Sequence, residues 1–96
     1  MEIEVLHDET LKEGSFFVKE KGKRVAELSY RKISKDLISA DHTEVNEEMQ
    51  GKGVAQAMYH ELIRTARQRG WKIKPQCPFV RKMMKKDPEV HDIMEG

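Results

Sequence analysis

Gln50-Gly51-Lys52-Gly53-Val54-Ala55 decides how this chain is read, because the hydrophobic periodicity changes there. Downstream, Ala55, Met58, Leu62 and Ala66 recur at steps of three, four and four, and Val54 and Ile63 widen the same apolar stripe. That spacing predicts an amphipathic helix. It should start near Gly53 and stop at a C-terminal glycine, Gly70, behind the basic residues Arg64, Arg67 and Arg69. Two glycines at a helix start let backbone N–H groups approach an anion at the positive end of the helix dipole, and Lys52 adds a mobile charge. A diphosphate suits such a loop. The pattern is neither the GxxxxGK[ST] of nucleoside triphosphatases nor the GxGxxG of dinucleotide folds, and it also suits an ordinary loop with two turn glycines.

Upstream of the loop the period is two. Ile3 and Val5 predict a short first strand, followed by strands over Ser15–Lys19 and Arg24–Arg31 joined by a turn at Glu20-Lys21-Gly22-Lys23. Ala26, Leu28 and Tyr30 share a face of the third strand, and Asp36–Val45 makes a fourth after Ser34-Lys35. These four form an antiparallel meander. After the helix, Trp71–Lys74 is long enough only for a strand, and strand–helix–strand predicts a crossover with a locally parallel pair. Residues 78–86 predict a second helix, with Cys77 at its cap, Pro78 at its first position and an end before Pro88.

Ninety-six residues predict one domain spanning 1–96 and no large multi-domain enzyme. The apolar share of 38%, the charged share of 36% and a mean hydropathy of −0.76 predict a polar but folded protein. No apolar run approaches the roughly 20 residues of a membrane span, and MEIEVLHDET lacks the features of a signal peptide, so cytoplasmic localisation with no membrane partner is expected. A lone cysteine, Cys77, permits neither an internal disulfide nor a structural zinc site. Residues 1–48 hold 8 Lys/Arg and 12 Asp/Glu, a balance of −4, whereas residues 49–96 hold 10 and 5, a balance of +5. The basic half should face an anion. Nucleic acid is not the expected partner, because the six aromatics are not interleaved with the basic residues as stacking platforms.

The loop resembles the Q/R-x-x-G-x-G/A signature of the GNAT superfamily of acyl-CoA-dependent N-acyltransferases, at the strand-to-helix position where that family carries it. Val45 occupies the place of the apolar residue of that family's fourth strand, and Cys77-Pro78-Phe79-Val80 is similar to a segment of a very small, single-domain subgroup. The likeness runs from Asp41 to Val90. It implies an α+β fold: a GNAT-like twisted, mainly antiparallel sheet of about five strands, with a long helix after strand 4 and a short C-terminal helix. It further implies acetyl-CoA (or CoA) bound through Val45, Gln50, Gly51, Lys52, Gly53, Val54 and Ala55. The diphosphate would lie on the N–H groups of residues 51–55, the pantetheine arm between Asp36–Val45 and Trp71–Lys74, and the thioester carbonyl on the N–H near Val45. The chain departs from the family pattern in having only His7–Gly14 where most members have two helices, and in lacking the final pair of strands. The acceptor, a small-molecule or protein amine, is therefore left open among a polyamine, an amino-sugar, an amino acid and a protein lysine.

Two residues are the catalytic candidates. Cys77 sits at a predicted helix N-terminus, a position that favours thiolate over thiol, so it could serve as general acid, as acyl carrier, or as a small apolar filler. His42, on the strand expected to line the site, could take a proton from the incoming amine, or simply be a solvated neighbour of Asp41. Glu44 and Tyr59 are weaker alternatives. His7, His60 and His91 are expected at the surface, with no metal site. Arg81, Lys82, Lys85 and Lys86 form a basic strip that could reach the 3′-phosphate of coenzyme A or stay solvated, and Met83, Met84 and Met94 are expected in the core. The sequence thus predicts an acetyl-CoA-dependent N-acetyltransferase acting on a primary amine, as monomer or weak dimer. The alternative is a non-catalytic CoA-binding or sensor module.

Overall fold

Lys21 and Gly22, with φ of 52° and 79°, turn strand β2 (Glu13–Glu20) into β3 (Lys23–Ser34). Positive φ at both turn positions matches the natural twist of a hairpin, and Gly22 adopts it without a Cβ penalty. The computed structural model describes residues 2–95. Strands β1 (Leu6–Glu9), β2, β3 and β4 (Leu37–Val45) pair antiparallel in chain order, and β5 (Lys72–Pro75) adds to β4 in parallel. Helix α1 (Val54–Arg69) makes the crossover between β4 and β5, and α2 (Pro78–Lys86) follows. Short 3₁₀ turns lie at Glu47–Met49 and Pro88–Ile93.

Both ends of α1 are set by glycines. Gly53 and Gly70 have φ of 80° and 70°, and the Gly70 N–H closes the last turn on the Ala66 carbonyl. Between them the predicted stripe is buried at Val54, Met58, Leu62 and Ala66 and half-buried at Ala55 and Ile63; Tyr59, outside that stripe, is buried as well, and α2 adds Val80 and Met84. These side chains share one core with Phe16, Leu28, Tyr30, Ile38, Ala40 and Ile73 of the sheet. Each large apolar residue so buried contributes about 1.5–3 kcal/mol of transfer free energy. The opposite face of the sheet carries polar residues at Ser15, Glu27, Ser29 and His42, which the strand register places opposite one another.

Three expectations need correcting. Ile3 and Val5 do not form the first strand; they pack against the core just ahead of β1, which begins with Leu6 opposite Phe17. Continuing that ladder would bring Val5 opposite Val18, where β2 shifts register against β3. Trp71 stands outside β5, which runs one residue later than predicted. Its ring is buried 5.5 Å from that of Tyr30 and under the Arg69 guanidinium. His7 is half-buried rather than free at the surface. It stacks on Phe16 at 4.2 Å and shares a 2.7 Å hydrogen bond with the Tyr30 hydroxyl, and burial lowers its pKa.

Candidate active site

β4 and β5 stay paired only from Leu37 opposite Lys72 to Ala40 opposite Pro75. The last links are the N–H groups of Gln76 and Cys77, which both donate to the Ala40 carbonyl, at 3.0 and 2.8 Å. Pro75 closes β5 and Pro78 opens α2, so the chain turns away while β4 continues to Val45 with a partner on one side only. The Asn46 N–H donates to Val25 of β3, so alternation turns the N–H and C=O of Val45, and those of Thr43, toward the free edge. The Val45 carbonyl there accepts a 3.1 Å hydrogen bond from Gln50 Nε2.

That bond ties the strand end to the glycine loop. Gly51 and Gly53 have φ of 77° and 80°, and a Cβ on either would meet no atom within 4 Å. The glycines are required by backbone conformation, then, and the space outside them is open. No side chain caps α1 at Gly53 and its first turn carries no acidic residue, which leaves the positive end of the dipole uncompensated. A cavity of about 280 Å³ runs from Val45 past Met49, Gln50 and Gly51 to Val54, Ala55 and Gln56. Of the residues expected to hold the donor, Val45, Gln50, Gly51, Gly53, Val54 and Ala55 line this one groove, and Lys52 is exposed beside it.

Cys77 lies at the vertex of the fork, 3% exposed, with Sγ 3.2 Å from Thr43 Oγ1. It occupies the cap position of α2 without its side chain capping the helix. Sequence reasoning passed over Thr43, although its spacing of two from Val45 on one strand places both on the same face. His42 is elsewhere: it pairs with Ser29 on the opposite face of the sheet, exposed, where it borders a separate cavity of about 520 Å³. The fold therefore does not bring His42 and Cys77 together on one face. Glu44, opposite Glu27, shares the face of His42. Tyr59 is buried in α1 against Phe79, and its hydroxyl has no hydrogen-bond partner among the described residues. Burial, reinforced by the charge of Asp87, pushes its pKa up to about 12. Arg81 bonds the carbonyls of Pro75 and Gln76 at 3.2 and 3.0 Å, a strut for the strand end, whereas Lys82, Lys85 and Lys86 are exposed.

A mainly antiparallel sheet that forks beside a glycine loop opening a long helix is the architecture of the GNAT N-acetyltransferases. Two solved structures share it. The solution structure of a GCN5-like protein from Staphylococcus aureus superposes with a TM-score of 0.74 at 28% identity, over 97% of this chain and 88% of that one. The crystal structure of ribosomal-protein-alanine N-acetyltransferase from Brucella melitensis biovar Abortus 2308 gives a TM-score of 0.65 at 21% identity. That match covers 80% of this chain and spans 62% of the Brucella chain, and it speaks to the fold alone. The comparison with curated proteins found no match. The family model of the GCN5-related N-acetyl-transferases matches residues 15–93, and the chain belongs to that family.

Proposed function

We propose that this protein is an acetyl-CoA-dependent N-acetyltransferase that moves an acetyl group to a primary amine. One observation carries the reading: the uncapped start of α1, with open space over Gly51 and Gly53, lines the same groove as the free edge of β4 at Val45. A cradle of positive-φ glycines at a helix N-terminus fits a diphosphate, since its N–H groups can donate to the phosphoryl oxygens without a Cβ in the way. Residues 51–55 would hold that diphosphate, with the exposed Lys52 adding charge. Acetyl-coenzyme A, when bound, supplies the activated acyl group as a thioester. The Val45 N–H, directed to the free edge, is the donor for its carbonyl oxygen, a contribution of a few kcal/mol as negative charge develops there.

Cys77 holds a proton at Sγ for the departing thiolate. Direct attack by this sulfur would call for an adjacent base, and its polar partner is the Thr43 hydroxyl while His42 lies across the sheet. His42, exposed on the outer face of β4, is the group available to take the proton of an amine arriving from that side. Calorimetric titration with acetyl-CoA, followed by intact mass of the quenched mixture, tests the assignment. Saturable binding without a protein-bound acetyl group is expected, and Cys77→Ala should keep the dissociation constant while lowering kcat at least tenfold. No binding at millimolar ligand would sink the proposal. An acetyl adduct lost in Cys77→Ala would replace proton donation with acyl transfer through the sulfur. The near-complete burial of Cys77, on the other face from His42, favours as second reading a CoA-binding module without turnover, and identical rates with and without protein would establish it.

A further inference from the structure

Along β4 the side chains that share the core-facing row are apolar with one exception. Ile38, Ala40 and Val45 pack into the core, and between the last two stands Thr43, directly opposite the buried Leu28 of β3. Valine would fill the same shape, so the hydroxyl costs stability at this position unless it is hydrogen-bonded. Among the described residues its one partner is Cys77 Sγ, at 3.2 Å. Neutral sulfur is a weak hydrogen-bonding atom, so this bond does little for the folded protein and much for the sulfur once it carries charge.

Both partners are pinned. Thr43 is β-branched and stiff at χ1, and it sits on the stretch of β4 that β5 has left, since the two strands part after Ala40 and Pro75. The Cys77 backbone is held on both sides: its N–H donates to Ala40 at 2.8 Å, and its carbonyl accepts from the Arg81 N–H at 2.9 Å. Only rotation about Cα–Cβ and Cβ–Sγ is left to the thiol. We infer that Thr43 is a positioning residue for acetyl transfer: its hydroxyl donates to Cys77 Sγ and so turns the S–H toward the open side of the fork. The inference rests on the transferase reading, in which Cys77 supplies the proton for the departing thiolate. That proton leaves Sγ and bonds to the sulfur released from the thioester, giving the free thiol of coenzyme A. The electron pair left on Sγ is held by the Thr43 O–H, and the proton shed by the attacking amine restores the thiol. A hydrogen bond to a thiolate is stronger than one to a thiol, so Thr43 acts at the transition state and not in donor binding.

Thr43→Val deletes the hydroxyl and keeps the shape, whereas Thr43→Ser keeps the hydroxyl. Valine is at home in a strand, so the melting temperature of Thr43→Val should not fall. Cys77 is the lone cysteine, and its infrared S–H stretching band therefore reports this one contact. In the parent protein the band should lie where a thiol that donates to nothing absorbs, and stay near it in Thr43→Val. A band displaced to low frequency that returns in Thr43→Val would mean that S–H donates to Thr43, and would overturn the inference. At fixed pH, alkylation of Cys77 by iodoacetamide follows the thiolate fraction; its rate should fall at least threefold in Thr43→Val and recover in Thr43→Ser. Methoxyamine, a primary amine unprotonated at neutral pH, isolates the leaving-group step. With it as acceptor, kcat for release of coenzyme A should fall at least tenfold in Thr43→Val at unchanged KM for acetyl-CoA, and Thr43→Ser should stay within threefold of the parent. Equal alkylation or equal kcat in the parent and Thr43→Val, or a loss that Thr43→Ser shares in full, would overturn the role of Thr43 alone. A parent protein that binds no acetyl-CoA, or binds it and releases no coenzyme A above the protein-free rate, refutes the transferase reading and this role with it.

Discussion

Gly53 and Gly70 permit a controlled test of the loop. Both hold left-handed φ, 80° and 70°, both bound α1, and a Cβ on either meets nothing within 4 Å. Substitution by alanine therefore carries the same backbone penalty at each, about 1–2 kcal/mol, with no steric term from the protein itself. In a domain of this size that corresponds to a fall in Tm of about 4–8 °C per kcal/mol, measurable by differential scanning calorimetry. Only Gly53 borders the groove beneath Val45. A methyl group there enters the space assigned to the diphosphate, and loss of one charge-assisted hydrogen bond to a backbone N–H costs about 1.5–3 kcal/mol, or roughly tenfold to a hundredfold in affinity. Gly53→Ala and Gly70→Ala should thus lose similar stability, while acetyl-CoA binding by calorimetry weakens in Gly53→Ala alone. Equal dissociation constants in the two variants would refute the loop assignment. A far larger Tm loss at one site would refute the claim of equal backbone strain.

Other perturbations follow from the same contacts. Gly14→Ala should unfold or severely destabilise the protein, because the new Cβ would overlap the Tyr30 hydroxyl and ring and lie 2.8 Å from the Asp8 carbonyl oxygen, as thermal melts will show. Tyr59→Phe should be neutral or stabilising by up to about 1 kcal/mol in urea titrations, since it removes a buried hydroxyl that lacks a partner. Acid should act in two stages. Burial lowers the pKa of His7 from 6.5, so the unfolded chain takes up its proton first and stability falls as pH drops below that value. Hydrogen bonds from Arg69 and Lys32 lower Glu9 from 4.5 to about 2, so the stability it contributes is present above pH 4.5 and is lost as pH falls toward 2. Glu9→Gln should weaken, without abolishing, the second stage in a plot of melting temperature against pH, because the pKa values of Asp8, Asp41 and Asp92 are lowered as well; an unchanged acid limb would contradict the assignment.

Local chemistry made much of the fold legible. The α1 stripe between two glycines, the Lys21-Gly22 turn and the Cys77-Pro78 opening of α2 each answer to near neighbours in sequence, and each stands where the spacing put it. The first strand was misplaced because Ile3-Glu4-Val5 alternates as well as Leu6–Glu9 does; what chooses between them is the register of β2, a partner distant in the chain. His7 was misread for the same reason, since its partners Phe16 and Tyr30 reach it only through two strand pairings.

The candidate site divides along the same line. Gln50, Gly51 and Gly53 are close in sequence, and a helix start with positive-φ glycines is a local matter, so the anion loop is written in six consecutive residues. The vertex of the fork is not. Thr43 meets Cys77 across 34 positions, and whether His42 or Thr43 faces that sulfur depends on the register shift at Ser29 and Tyr30, which sets the facing of every residue beyond it on β4. Sequence by itself thus determined the elements after the first strand, the loop and the separation of charge between the two halves, because periodicity, glycine conformation and side-chain charge are properties of a residue and its neighbours. Only the tertiary structure decided which face each strand residue shows, because strand pairing converts a one-residue offset into a change of side.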